Sequence, residues 1–205
     1  ELALGLPIFL FIILLVIWLG TYMNAKVSLQ VAVKNAARSG ITRGILGDIE
    51  DRDTFPINSD NLSRINDILH HNNPEVNVDD AKDYYYFSVK EVLNLPNPTP
   101  GTSLDIETVP KKYWYTLIFL SESLRLSMGN QVKFPCTSLD PGCLNCKFIN
   151  DPLTNLPPAE GKLYIQCIYS MDKTILSPMI RLIGLFARPF AEKLMYIKIG
   201  ADSGE

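Results

Sequence analysis

The pattern of apolar and polar positions divides the chain into one long apolar run followed by many short elements. From Leu2 to Ala25 there are 24 residues without a charge, rich in Leu, Ile and Phe. A helix needs about 20 apolar residues to cross the hydrocarbon of a bilayer, so this run predicts a membrane-spanning helix. A secretory signal peptide would carry an apolar stretch of about 7–15 residues behind basic residues and ahead of a cleavage site. This run is longer, no basic residue precedes it, and the helical pattern continues past it. After Tyr22 the pattern turns amphipathic. Asn24, Lys26, Ser28, Gln30, Lys34, Asn35 and Arg38 are interleaved with Ala25, Leu29, Ala32, Val33, Ala36 and Ala37. Ala25, Leu29, Ala32 and Ala36 step by four, three and four, which sets them on one helical face. That face is mostly alanine, so whatever packs on it comes close. Gly40 and Gly44 supply the expected stops. Residues 1–45 thus read as one helix, half in lipid and half packed under a domain formed by residues 46–205.

The domain reads as α+β, a small antiparallel sheet with short helices. Residues 48–58 are charged and then turn-like, an exit loop. Ser59 and Asp60 then offer a cap, and apolar residues at 62, 65, 68 and 69 predict a short amphipathic helix ended by His70 and His71. Histidines there favour the negative end of the helix dipole more readily than they form a metal site. Asn61-Leu62-Ser63 is a glycosylation triplet that matters only in a eukaryotic secretory protein. Tyr84 to Leu95 is aromatic and β-branched with partial alternation, which predicts a strand with tyrosines on both faces of a sheet. The alternative is a sticky tyrosine surface. Pro96, Pro98, Pro100 and Gly101 interrupt any strand, and Leu104 to Val109 fits a short edge strand. Lys111 to Met128, ending at Gly129, predicts a core helix with Trp114, Leu117, Ile118, Leu120, Leu124 and Met128 inward and Ser121, Glu122 and Arg125 opposite. It is too short and polar for a second span. Trp114 and Tyr115 also suit a membrane or partner surface. Lys162 to Ser170 alternates as a central strand. Thr174 to Arg188 is an apolar insert with Pro178 inside it and Pro189 just after, fitting a short helix or hairpin arm on a core, a membrane or a neighbouring subunit. Leu194 to Ala201 closes as a last strand.

Cys136, Cys143, Cys146 and Cys167 are the only cysteines, three of them within 11 residues of a turn-rich stretch. Two disulfides suit a segment with little hydrophobic packing of its own. Three pairings are possible, and a close loop from Cys136 to Cys143 or Cys146 plus a link to Cys167 is the most natural arrangement. A zinc site usually takes two C-x-x-C pairs, and only Cys143 and Cys146 form one. A thioredoxin-type pair opens a helix, for which the Lys147 to Pro152 segment is a poor start. Haem attachment needs a histidine where Lys147 stands.

Composition narrows the function. The net charge of −3 gives no electrostatic footprint for nucleic acid. The roughly 160 residues beyond the helix suffice for one core. No G-x-S-x-G, Walker loop or H-E-x-x-H motif is present, and the two histidines adjoin. Neither an enzyme nor a cofactor is expected.

Glu1, an apolar spacer, Pro7, an aliphatic run and then Ala36-Ala37-Arg38-Ser39-Gly40 together resemble the TadE-like pseudopilins of tight-adherence pili. In that family a glutamate is followed six residues later by a proline, then by an apolar stretch and an Ala-Arg-x-Gly-like segment. Glu1 and Pro7 match the spacing, and Ala37, Arg38 and Gly40 match the later segment. The resemblance covers about the first 45 residues; a similar layout recurs near the end, and residues 50–160 carry no match. It implies a leader removed by a prepilin peptidase. It also implies that Glu1 meets the N-terminal amine of a neighbouring subunit, beyond favouring the positive end of its own helix dipole. Pro7 lies where a lost backbone hydrogen bond costs least. The expected packing residues are Glu1, Pro7, Ala25, Leu29, Ala32 and Ala36. The expected function is a pilin-like structural subunit, major or minor, with membrane lipid before assembly and other pilin-like subunits afterwards as partners. Its domain would lie outside the cytoplasm of the inner membrane and later on the pilus. Lys26, Lys34, Arg38 and Arg43 argue the other orientation by the positive-inside rule, whereas the cysteines argue for the oxidising side. A singly anchored extracytoplasmic binding module and an anchored thiol oxidoreductase are the competing readings.

Overall fold

The computed structural model describes residues 2–50, 59–100, 109–171, 181, 184–185 and 195–203. Helix α1 runs unbroken over Leu2–Glu50. Gly40 and Gly44 therefore lie inside it and do not end it. A glycine lacking the rest of a C-cap motif only weakens a helix locally, and around Gly40 the buried Ala36, Ala37 and Ile41 hold α1 in place. Helices α2 (Ser59–Asn72), α3 (Val78–Leu93) and α4 (Lys111–Met128) follow, then a 3₁₀ turn at Gly129–Gln131. Strands β1 (Leu144–Phe148), β2 (Tyr164–Ser170) and β3 (Tyr196–Asp202) complete the domain. They form an antiparallel sheet in the order β1-β2-β3, with β2 central. The long N-terminal helix, short helices and antiparallel sheet make the fold α+β.

The largest departure from the sequence expectation is α3, which takes the stretch from Tyr84 to Leu95 out of the sheet. Local capping decides it. Asn77 accepts from the Asp80 N–H, and the Asp80 carboxylate accepts from the Asn77 N–H, a complete capping box. Asn94 closes the far end in the left-handed conformation at φ 55°. Between these ends Ala81, Tyr85, Ser88, Val89 and Val92 are buried at helical spacing. The three tyrosines are buried as well, each with an acceptor for its hydroxyl: Cys146, Pro110 and Pro96 carbonyls respectively. β-Propensity reflects fit to a half-buried surface, and this helix supplies one.

Helix α4 has the predicted bounds. Its inward face is wider than expected, however, since Ser121 is fully buried with Trp114 and Leu124. Trp114 is a core residue with no surface exposure, packed edge-on against Tyr85 at 5.3 Å. Helix α1 lies chiefly on α4 and next on β3. Residues 51–58 of the expected exit loop and 104–108 of the expected edge strand lie outside the described residues; Val109 is a buried bend residue. The insert 174–188 also lies outside them, apart from Arg181, Gly184 and Leu185.

Candidate functional site

The candidate site is α1 itself, because its two halves meet different surroundings. Gly5–Thr42 is long and apolar enough to cross a membrane, and no residue of its most apolar 18-residue stretch is buried within the chain. Ile8, Phe9, Val16 and Ile17 are each more than half exposed. At 1.5 Å per residue, the 20 positions from Gly5 to Asn24 span about 30 Å, the thickness of bilayer hydrocarbon. Pro7 lies inside α1, in its first two turns. Glu1 lies outside the described residues. Trp18 and Tyr22, four residues apart with ring centroids at 5.5 Å, are the first side chains of α1 to touch the core of the domain.

From Ala25 onward one face disappears into the domain. Ala25, Leu29, Ala32, Val33, Ala36, Ala37 and Ile41 are all buried, four of them with no exposure. The predicted face of Ala25, Leu29, Ala32 and Ala36 is thus real, but the chain's own domain fills it, so those side chains cannot meet a neighbour as they stand. The surface left for other molecules is the opposite one. There Met23, Val27 and Val31 stand about half exposed, followed by exposed Lys34 and Arg38. Gly40 sits at a close approach of α1 to α4. A Cβ placed on it would come within 2.9 Å of the Thr116 backbone N and Cα. The sequence showed a glycine there, but only the packing reveals that it permits contact and does not end the helix.

The domain that holds this helix is stapled twice, by Cys136–Cys143 and Cys146–Cys167. This is one of the pairings expected. Cys146 and Cys167 face each other directly across β1 and β2. Cys143 and Cys146 belong to separate bonds and are not paired with each other. The outer edge of β1 is closed by the Tyr84 hydroxyl, which donates to the Cys146 carbonyl and accepts from its N–H, both at 2.7 Å. Burial raises the Tyr84 pKa, with the Cys146 hydrogen bond lowering it in part. Burial likewise raises Tyr85, with a smaller contribution from Tyr113, and pushes Tyr113 up to about 12. His70 and His71 stand exposed in the last turn of α2. Among the described residues no group of three or more His, Cys, Asp or Glu is arranged to hold a metal ion.

Comparison with known proteins bears on this helix alone. No curated protein and no solved structure matches the chain. Residues 1–38 match the family model described as TadE-like protein, so the resemblance read from Glu1, Pro7 and the Ala-Arg segment is shown over the apolar half of α1 and most of the half that packs on the domain.

Proposed function

We propose that the chain is a pilin-like structural subunit of a tight-adherence or type IV-like filament. The apolar half of α1 anchors it in the membrane before assembly and lies among other subunits' helices afterwards. The observation that carries this reading is a single unbroken helix with one half bare and the other half covered on one face only. The TadE-like match over the same residues supports it. Each Leu, Ile or Phe withdrawn from water by neighbours would stabilise a filament by about 1.5–3 kcal/mol before the costs of ordering. Two disulfides suit an oxidising compartment, which supports a domain outside the cytoplasm despite the basic residues that follow the span. A prepilin peptidase and other pilin-like subunits are the partners this reading requires, and its role is structural, without catalysis.

Electron microscopy of sheared surface filaments, with mass spectrometry of their subunits, tests it. The expected result is this chain in the filaments, with an N-terminal peptide beginning at or just before Glu1. Its absence from filaments and persistence in membranes as single molecules would overturn the proposal and leave the anchored binding module.

A further inference from the structure

The two outer edges of the sheet end differently. Ser170 N–H donates to the Cys143 carbonyl and Ile149 N–H to the Tyr164 carbonyl, so by antiparallel alternation Leu144 and Cys146 turn their backbone groups away from β2. Both find partners there. Leu144 N–H donates to the Lys133 carbonyl, and Cys146 is held through its N–H and its carbonyl by the Tyr84 hydroxyl. On the β3 side, Met171 N–H donates to the Met195 carbonyl and Ser203 N–H to the Leu163 carbonyl. The pairing between these two bonds is continuous, so Ile197, Ile199 and Ala201 face β2, while Lys198 and Gly200 turn their N–H and C=O groups outward. Among the described residues no hydrogen bond meets those outward groups. Gly200 is exposed, and without a side chain its exposure is that of its backbone. No atom lies within 4 Å of where its Cβ would stand.

An open row of alternating backbone donors and acceptors is the complement of an extended chain. The side chains around it specify which one. Lys198, Gly200 and Asp202 share the outer face of the sheet, while Ile197 and Ile199 point into the core. Lys198 is exposed and, among the described residues, has no ion-pair partner. A lysine on an edge discourages any strand that offers no acid opposite it. Asp202 is exposed as well, and a carboxylate accepts from several donors at once. The two charges therefore set a register and a direction, not a net charge. An antiparallel strand needs an acid opposite Lys198 and a base opposite Asp202. A second copy of β3 would satisfy that pattern, but identical edges pair antiparallel about an axis normal to the sheet. Helix α1 is layered on β3 and β2, and a helix so layered runs in the plane of the sheet. That axis would turn the second copy's α1 end for end, out of the membrane that holds the first.

We propose that the free edge of β3 takes up an extended segment of a different polypeptide as an added antiparallel strand. The outward N–H and C=O groups of Lys198 and Gly200 bond to its backbone. An Asp or Glu of the segment lies opposite Lys198, and a Lys or Arg nearer its N-terminus lies opposite Asp202. Main-chain bonds supply the affinity, and the charges select the partner and its register more than they tighten it.

The test is a titration of the isotope-labelled full chain in detergent micelles, followed by amide chemical shifts and hydrogen exchange. The first probe is the peptide acetyl-Thr-Lys-Val-Thr-Val-Glu-Thr-amide. The second is the same peptide N-methylated at its central Thr and its Glu, which removes the donors to Gly200 and Lys198. The third carries Lys in place of the Glu. The expected result for the first is shifted and more slowly exchanging amides at Lys198 and Gly200, with a midpoint on the order of 1 mM. The N-methylated peptide should not bind, and the two-lysine peptide should bind about five-fold more weakly. In the Lys198→Glu variant that preference should reverse. Lys198 is exposed, so unchanged shifts elsewhere verify that the variant is folded. Equal binding of the N-methylated peptide, an unchanged preference in the variant, shifts confined to other surfaces, or no shift up to about 10 mM would each overturn the proposal.

Discussion

Val31 and Val33 are the same residue two positions apart on one helix, yet Val31 is 54% exposed and Val33 fully buried. The contrast holds for the two halves of α1 as a whole. Between Gly5 and Asn24 no residue is buried, although the composition is almost purely apolar; between Ala25 and Ile41 one face is buried completely, although the composition is mixed. Burial within the chain therefore follows contact with the domain, not hydrophobicity. Apolar side chains left bare by their own fold need another solvent, either lipid or other subunits. The half from Ala25 onward is bound to the stability of the domain, and the half before it touches the domain only through Trp18 and Tyr22 near its end.

That difference can be broken most severely at Val33. Val33→Asp places an unpaired carboxylate in the core beneath α1 and should cost more than about 4 kcal/mol, seen as loss of cooperative thermal unfolding of the domain. Removing the β1–β2 staple comes next. The loop between Cys146 and Cys167 spans 21 residues, so the double Ser variant should lose about 3 kcal/mol in denaturant unfolding. Gly40→Ala sharpens the account of the helix crossing. With the Thr116 backbone in the way, it should cost about 1–3 kcal/mol, whereas Gly20→Ala, with no atom near its Cβ, should not destabilise the domain.

Alkaline pH gives a smaller and graded effect. Tyr84, Tyr85 and Tyr113 have folded pKa values raised above the ordinary value of 10.0. The unfolded chain gives up these protons first, so the stabilisation is complete below about pH 9 and falls as pH rises through 10 toward 12. Melting temperature should be flat from neutrality to about pH 9 and decline beyond it. The smallest effect on the domain belongs to Val31→Asp, within about 0.5 kcal/mol, although it should exclude the chain from filaments.

Much of this arrangement was legible in the residues. The uncharged run, the alanine face, α4 and the central strand follow from periodicity and length: the run forms helix and stays bare, the alanine face is buried, α4 has the expected bounds, and the strand is central in the sheet. The strand expected at Tyr84 to Leu95 failed because aromatic and β-branched residues mark any half-buried surface, while the deciding signal, Asn77 with Asp80 three residues later, lay just upstream. Gly40, expected as a stop, lies inside α1 against Thr116. A glycine that ends a helix and one that admits a neighbouring backbone look alike until the neighbour is in place. The residues place this half of the helix under the domain, but they do not say whether the alanine face itself meets that domain or a neighbouring subunit, since self-packing and subunit packing call for the same small side chains.

The measurement closest to the central claim is photo-crosslinking in sheared filaments, with a photoreactive residue at Val31 in one preparation and at Val33 in another. The account predicts adducts to other subunits from position 31 and only links within the chain from position 33. Adducts between subunits from position 33, or none from position 31 in filaments that contain the chain, would contradict it.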